Sequence, residues 1–585
     1  MATEIYNGQG LAQAAPDPTL AKGKSILSRR TAIVALVLVA ECFLLFANFD
    51  NAYLSLGEGN TALLGKNVLE YGYPRAWDGK NLVVPFYETT VNEDLVWVSH
   101  PWLQYYLAAG GIAVFGQTNL GARFIFALCG LLSIIALYYL TLRVSGSVRL
   151  AGLSALILAA HPLFWMYARQ SRYYAPTILL MILVAIFYLK WTESLKKSHL
   201  AGFVIFSSLL FYSLYTIWGF EMLAIGVHYL LFKRSSRSMA SFIFAAVAIG
   251  VLTLPFFLYA PPHFHRDAPP SPDGYLTRLI VHLWKVHTLY YPVLTLALIW
   301  GAVAAYHRLK GSGKPPSALK WRSDYWLGLS VIGYVFFVVL YPFFTTHYML
   351  PVLPLGAIFV AFAVLRIREH SRWVAAPVLA LLVSTNLFHV LPYIAVDKLH
   401  LDGPVAEAVM LNPTWTHTPG TPLSHYVTEQ LALRSYAFDF LGFLTHDYEH
   451  QLRGVVTFIK ENTREDQTVF VPWNDADAIA FYTGRKVGYH METSYFKNEN
   501  LKAVAPKGDD ADLIVPLTFD LPARYYAGER FYSNYERIKL PFPKEYFETY
   551  PNLDFFNFRT NRQTPSWFYV FVPKKGGEAG YAENR

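Results

Sequence analysis

Apolar runs long enough to cross a membrane recur along the first two thirds of the chain. Each is close to the ~17 to 25 residues that a helix needs to cross a bilayer. The predicted spans are residues 31–48, 119–142, 150–168, 174–191, 199–216, 218–232, 239–260, 281–305, 325–343, 348–365 and 373–394. The pattern therefore predicts a polytopic α-helical membrane protein with about 11 transmembrane helices.

Basic residues give these predicted spans a direction. Lysine and arginine are concentrated in alternate connections, such as residues 22–30, 190–197, 308–322 and 366–372. The positive-inside rule places those connections in the cytoplasm. The N-terminus is then cytoplasmic and everything after residue 394 lies outside, and we expect a multi-pass protein with an uncleaved anchor in a prokaryotic plasma membrane.

Composition agrees with a membrane protein and argues against one class of partner. Hydrophobic residues make up 54% of the chain and charged residues 15%. The formal charge of +8 comes mostly from the inner connections, so it is no argument for nucleic acid. Cys42 and Cys129 both fall inside predicted spans, so no disulfide framework is expected.

Three domains follow from the distribution of polar segments. Residues 1–30 form a cytoplasmic tail, residues 31–394 a transmembrane domain with outer loops at 49–118 and 261–279, and residues 395–585 an extracytoplasmic domain. The last of these has a domain-sized length. It combines a helical stripe around residues 452–459 with apolar runs typical of buried strands, which predicts an α/β fold.

The short connection 167–174 (YARQSRYY) carries the most informative charges. Arg169 and Arg172 lie between two predicted spans, on the outer side where the chain otherwise avoids positive charge. A guanidinium offers a planar fork of donors that matches a phosphate and keeps its charge. The pair is predicted to form an anion site at the outer membrane face, although simple snorkelling towards lipid headgroups is the alternative.

Four short motifs occur in one order along the predicted outer side: GEGNTA (57–62) leading to LEYG (69–72), HPWLQYY (100–106), ARQSRYY (168–174) and HYMLPVLP (347–354). In these motifs, residues 50–355 resemble the GT-C-type polyprenyl-phosphate-sugar-dependent glycosyltransferases. That group includes protein O-mannosyltransferases and lipid A aminoarabinose transferases. The resemblance implies a GT-C-type transmembrane catalytic domain.

The resemblance also implies substrates. The donor would be a polyprenyl-phosphate-linked sugar held in membrane lipid, and the acceptor a hydroxyl or amine on a glycan, lipid or protein. Two departures from the family pattern stand out. Gly57 occupies the place of the first acid of an acidic pair, and Tyr173 or Tyr174 replaces an acid that often follows the arginine motif.

Candidate site residues follow from the motifs and from the chemistry. Glu58 is the expected general base, with Asp50, Glu93 and Asp94 as substitutes, because an acceptor hydroxyl must lose its proton as it attacks the anomeric carbon. One base and a phosphate leaving group imply direct displacement, hence inversion. Arg172 is the expected main ligand of the donor phosphate, and Arg169, His347 and Tyr348 are expected to help bind that phosphate. Auxiliary candidates are Glu93, Asp94, His100 and Tyr174.

No dedicated metal or cofactor site is expected. Glu58, Glu93, Asp94 and His100 share one loop but lack the tight histidine or cysteine spacing of a metal site, and no WWDxG signature occurs in the C-terminal part. We therefore expect that no cofactor is required, and a divalent cation stays open as the alternative. Two other function classes stay open: a transporter or flippase of a lipid-linked sugar, and a non-catalytic scaffold.

Overall fold

The computed structural model describes most of the chain in segments. The described residues are 36–54, 56–85, 88–260, 275–276, 279, 282–283, 286–310, 349–391, 433, 435–446, 451–471, 473–489, 496–505, 511–515, 535–543, 546–547, 560–561 and 567–574. The predicted site residues His347 and Tyr348, the predicted span 325–343 and most of the outer loop 261–279 lie outside these residues.

Helices dominate the described residues up to position 391. They are α1 (36–46), α2 (Leu56–Tyr71), α3 (Leu103–Phe115), α4 (Asn119–Ser145), α5 (Val148–Ala159), α6 (Pro162–Ala168), α7 (Tyr174–Ser194), α8 (Lys197–Ser213), α9 (Tyr215–His228), α10 (Ser236–Tyr259), α11 (Val293–Leu309), α12 (Val352–His370) and α13 (Arg372–Ser384). Short 3₁₀ turns occur at Phe49–Asn51 and Glu88–Thr90, and π-helical turns at Tyr229–Lys233 and Val286–Tyr290.

Four of the described helices are long and apolar enough to cross a membrane: α4, α7, α10 and α9 with the turn that follows it. The bent pair α5 and α6 makes a fifth if it is one span, and its bend of 67° lies at His161 and Pro162. Proline suits this first position of α6 because its missing N–H would have no helical partner there. A polytopic helical membrane protein is supported, while the count of 11 spans stays a prediction.

Helices α2 and α3 form a layer against the helical bundle. Helix α2 packs on α3, and α3 packs on α4. Helix α2 begins at Leu56, and the residue after it, Gly72, has a φ of +81° that glycine adopts without strain. Glu58 therefore lies in the first turn of the helix.

The C-terminal part contains a five-stranded sheet with helices. Its helices are α14 (Tyr436–Thr445), α15 (Gln451–Asn462), α16 (Trp473–Thr483) and α17 (Glu499–Val504); its strands are β1 (Thr468–Phe470), β2 (Lys486–Gly488), β3 (Leu513–Ile514), β4 (Tyr535–Pro543) and β7 (Trp567–Pro573), with β5 (Tyr546–Phe547) and β6 (Thr560–Asn561) forming a separate pair. The strand order is β2-β1-β3-β7-β4, parallel from β2 to β3 and antiparallel beyond.

One hydrophobic core joins α2 to this C-terminal part. Leu63 and Leu64 of α2 are buried together with Ile459 of α15, Val469 of β1 and Ile479 of α16. Burying apolar surface contributes roughly 25 cal/mol per Å², so two segments that share a core stabilise each other. The start of α2 is therefore held between the helical bundle on one side and α16 on the other.

Candidate active site at the start of helix α2

A buried ion pair anchors the start of α2 to the bundle. The Nε and Nη2 atoms of Arg123 donate to the two carboxylate oxygens of Glu58 at 2.8 and 2.6 Å, a bidentate arrangement. Glu58 is 6% exposed and Arg123 5%. Fork-to-carboxylate pairs of this geometry are among the strongest polar contacts in proteins.

Arg123 also ties the end of α1 to this pair. It lies in the first turns of α4, which Thr118 caps by accepting a hydrogen bond from the Gly121 N–H. Its Nη1 atom donates to the carbonyl oxygens of Phe49 and Ala52 at 2.9 and 2.5 Å. A single arginine therefore links α4, the segment after α1 and the first turn of α2.

The arginine turn, residues 169–173 between α6 and α7, lies directly against Glu58. The Ser171 N–H donates to Glu58 Oε1 at 3.0 Å, and Arg172 Nη1 donates to the carbonyl oxygen of Gly57 at 3.1 Å. A Cβ atom at position 57 would stand 2.8 Å from the Arg172 Cζ atom. Glycine at this position therefore lets the guanidinium approach the helix backbone.

The two arginines of the turn have different surroundings. Arg169 donates to the carbonyl oxygens of Leu44 and Asn48 at 3.0 and 3.2 Å, and its Cζ atom lies 4.7 Å from the centre of the Phe49 ring. Burial and the nearby charge of Arg123 lower the pKa of Arg169 to about 9, so it remains protonated at neutral pH. Its donors are committed to backbone, which is typical of a residue that fixes a turn.

Aromatic rings surround Arg172 instead. Its Cζ atom lies 5.2 Å from the Tyr173 ring centre, and Tyr174 makes a side-chain hydrogen bond with it. The His100 ring stacks on Tyr173 with centres 6.0 Å apart. Among the described residues no carboxylate forms an ion pair with Arg172. Arg169 has no described carboxylate partner either, but its side chain is buried whereas that of Arg172 is half-buried, so Arg172 is the more accessible cation of the arginine turn.

The structure thus brings together several of the residues predicted from the sequence. Glu58, Arg169, Arg172, Tyr174 and His100 lie around the arginine turn. Glu93 and Asp94 are exposed in a separate turn that faces α17, where the Asn500 amide donates to the Glu93 carbonyl oxygen at 2.9 Å. Asp50 is exposed beside Asn119, whose amide donates to its carboxylate at 2.7 Å.

Arg123 is the site residue that the sequence analysis missed. It lies at the start of a predicted span, among apolar residues. The charge of Arg123 was itself a signal, because a charged residue within a membrane segment is costly unless it is paired or functional. Among the described residues no group of three or more histidine, cysteine, aspartate or glutamate side chains is arranged to hold a metal ion. That the protein requires no cofactor, with a divalent cation left open, stays a prediction.

Comparison with known proteins places this arrangement in context. The sequence profile of the family described as dolichyl-phosphate-mannose-protein mannosyltransferase matches residues 99–259. An uncharacterized protein of Aquifex aeolicus (strain VF5) is 27% identical over 229 residues, which cover 38% of this chain and 43% of that relative. The match therefore spans less than half of the relative's length.

Two crystal structures of ArnT from Cupriavidus metallidurans share the fold. The one bound to undecaprenyl phosphate matches with a TM-score of 0.55 at 16% identity, covering 93% of this chain and 98% of that one. The apo structure matches with a TM-score of 0.52 at 15% identity, covering 94% and 98%. At this identity the two matches show a shared fold.

The class of protein follows from the fold and the matched region together. This chain is a helix-rich protein that shares the fold of the two ArnT structures, and the resemblance to GT-C-type polyprenyl-phosphate-sugar glycosyltransferases that its motifs indicated is confirmed. The matched region, residues 99–259, contains the arginine turn and Arg123.

Proposed function

We propose that this chain is a membrane glycosyltransferase that moves a sugar from a polyprenyl-phosphate donor to a hydroxyl or amine acceptor on the outer face of a prokaryotic plasma membrane. The observation that carries the proposal is the arginine turn packed against the acidic start of α2, in a GT-C-type fold. The ArnT structure that contains undecaprenyl phosphate supports a lipid-phosphate ligand for the same fold.

Arg172 is the proposed ligand of the donor phosphate. As the bond between the anomeric carbon and the phosphate oxygen breaks, negative charge grows on the leaving polyprenyl phosphate. A cation already held in place stabilises that charge without reorganising during the reaction. The Gly57 carbonyl and Tyr174 hold Arg172, and no described carboxylate neutralises it.

Glu58 is the proposed base, because it is the acid that touches the arginine turn. Its oxygens accept from Arg123 and from the Ser171 N–H, which uses three of the about four lone-pair sites of a carboxylate and leaves one on Oε2 for the proton of the acceptor. Asp50 is the second candidate, since it is exposed and its charge also acts on Arg123. Attack by the deprotonated acceptor on the face opposite the phosphate gives inversion.

Transfer and transport are separated by one experiment on the purified full-length protein in vesicles. The donor is a polyprenyl-phosphate sugar that is radiolabelled in the sugar. We expect the label to move to the acceptor and unlabelled polyprenyl phosphate to be released in equal amount. Movement of intact labelled lipid between leaflets, without release of polyprenyl phosphate, would instead establish a transporter.

The identity of the base is tested by two substitutions in the same assay. With Glu58 as base, the Glu58→Gln protein loses on the order of 100- to 10,000-fold in kcat and the Asp50→Asn protein keeps its activity. Because Glu58→Gln also disturbs Arg123, the Glu58→Gln/Arg123→Gln protein serves as its control. If that double variant is active and Asp50→Asn is inactive, the base is Asp50.

A further inference from the structure

A second arginine cluster lies at the end of the bundle opposite to the arginine turn. Arg149 is the second residue of α5, Arg368 lies in the last turn of α12, and Arg372 begins α13. Helix α5 rises about 18 Å over its length at 1.5 Å per residue, and α6 follows it before the arginine turn is reached. The two clusters are therefore on opposite sides of the bundle.

An apolar groove runs from these three arginines along the bundle. Its volume is about 660 Å³, within the ~300 to 1,000 Å³ of small-molecule sites. The walls come from α4, α5, α12 and α13, with two residues of α1, and include Ile134, Leu153, Leu156, Val364 and Leu379. The groove offers an apolar channel that ends in three positive charges.

The charges at the mouth of the groove are not neutralised within the described residues. Arg149, Arg368 and Arg372 are all exposed, and none forms an ion pair with a described carboxylate. The acids at this end are engaged elsewhere: Glu193 pairs with Arg143 at 2.6 Å, and Glu369 with Arg366 at 2.8 Å. Three unpaired guanidinium groups next to apolar walls complement a molecule with an anionic head and hydrocarbon chains.

We propose that this groove binds an anionic diacyl phospholipid, with its phosphodiester on Arg149, Arg368 and Arg372 and an acyl chain between α5 and α12. Basic pockets between transmembrane helices recognise anionic headgroups in this way. Arginine is the suitable cation, because its fork pairs with two phosphate oxygens at once. The site is separate from the proposed transferase site and does not depend on that activity.

Site-specific photo-cross-linking tests the proposal on the full-length protein. A benzophenone amino acid replaces Leu156, which lines the groove, or Leu298 of α11, which is exposed outside it. The protein is reconstituted in mixtures of phosphatidylglycerol and phosphatidylcholine with the same acyl chains, and adducts are identified by mass spectrometry. From position 156 we expect phosphatidylglycerol to be favoured on the order of tenfold, and from position 298 no preference.

Two triple variants decide whether the arginines cause the preference. Arg149→Gln/Arg368→Gln/Arg372→Gln should abolish it. Lys196→Gln/Lys197→Gln/Arg308→Gln removes the same charge from exposed positions at the same end of the bundle and should retain it. If the first triple variant does not fold, the single Arg368→Gln protein and 0.5 M salt on the unmodified chain should each weaken the preference.

Four results would overturn the proposal. They are equal cross-linking of the two phospholipids from position 156, an equal loss of preference in both triple variants, a preference for polyprenyl phosphate over phosphatidylglycerol, and cross-links from position 156 to the chain's own residues. The last two would show that the groove holds a donor lipid or a segment of this chain instead.

Discussion

Two carboxylates lie near the start of α2, one on each side, and are held in opposite ways. Glu58, on the side of the bundle, meets a guanidinium fork. Asp477 of α16, on the side of the C-terminal part, meets only neutral donors within the described part of the chain: the Asn60 amide at 3.2 Å and the Val84 N–H at 2.9 Å. The two are equally buried, at 6% and 5% exposed.

The difference lies in the charge of their partners. Burial raises the pKa of Asp477 to about 7, and the hydrogen bonds from Val84 and Asn60 offset only part of that effect. Glu58 instead accepts both donors of the Arg123 fork. The ion pair thus lies on the side of α2 that holds the arginine turn, while neutral donors meet the carboxyl group between α2 and α16.

Breaking the ion pair should produce the largest effect on stability. Either Glu58→Gln or Arg123→Gln leaves a buried group without its partner, and the expected loss is about 3 to 5 kcal/mol in the free energy of unfolding. The double variant Glu58→Leu/Arg123→Met replaces both partners with apolar side chains and should recover most of that loss. Thermal unfolding of the purified proteins in detergent measures all three.

The double variant tests whether Glu58 and Arg123 act as a pair. A double variant as unstable as the sum of the single variants would show that the two residues do not act as a pair. In that case the contrast with Asp477 would lose its basis, because the Arg123 fork would not be the effective partner of Glu58.

Arg172 and Arg169 should differ in activity. Arg172→Gln is expected to lower kcat by about 100- to 1,000-fold, because it removes the cation proposed to stabilise the leaving phosphate. Arg169→Gln is the matched control, since its donors are bonded to the Leu44 and Asn48 carbonyls. It should lower thermal stability and leave kcat per folded molecule nearly unchanged. Equal losses of kcat in both variants would contradict the assignment of the phosphate to Arg172.

The sequence predicted the parts of this picture that depend on hydrophobic length and local motifs. The predicted spans 119–142 and 174–191 agree with Asn119–Ser145 and Tyr174–Ser194 because bilayer thickness dictates the length of an apolar run. The same argument put Glu58 and the arginine turn on one side of the membrane, and the structure places them in contact.

Long-range pairing was not predictable from one sequence. Arg123 is one charge within an apolar run, and nothing local indicates which acid it meets. Asn60 and Asp477 are 417 residues apart. At position 57 the sequence showed only a missing acid, whereas the structure shows the Arg172 guanidinium in the space that a side chain would need. Such contacts depend on tertiary packing, which no periodicity encodes.

The pH dependence of stability should report the raised pKa of Asp477. An unfolded aspartate has a pKa near 3.9, whereas the pKa of folded Asp477 is about 7. Between these values the folded protein holds a proton that the unfolded chain has lost. Its stability contribution is therefore complete below about pH 4 and is lost as the pH rises through 7.

Asp477→Asn should remove that dependence, since an amide stays neutral and the Asn60 amide can turn to match it. We expect its unfolding temperature at pH 8 to exceed that of the unmodified protein by roughly 5 °C, and at pH 5 by only about a third as much. Thermal unfolding at pH 5, 6, 7 and 8 measures the effect. The same slope with pH in both proteins would mean that another group titrates.

The smallest expected effect concerns the closeness of α2 and α16. A Cβ atom at Gly59 would lie 2.7 Å from the backbone nitrogen of Ala478, so Gly59→Ala must push the two helices apart. Overpacking of this kind costs about 1 to 3 kcal/mol. Gly226→Ala in α9 is the control, because no described atom beyond its own stretch of helix lies within 4 Å of its added Cβ. We expect faster amide exchange in α16 for Gly59→Ala alone, because the separated helices expose their interface to water while the Glu58 ion pair on the other side stays intact.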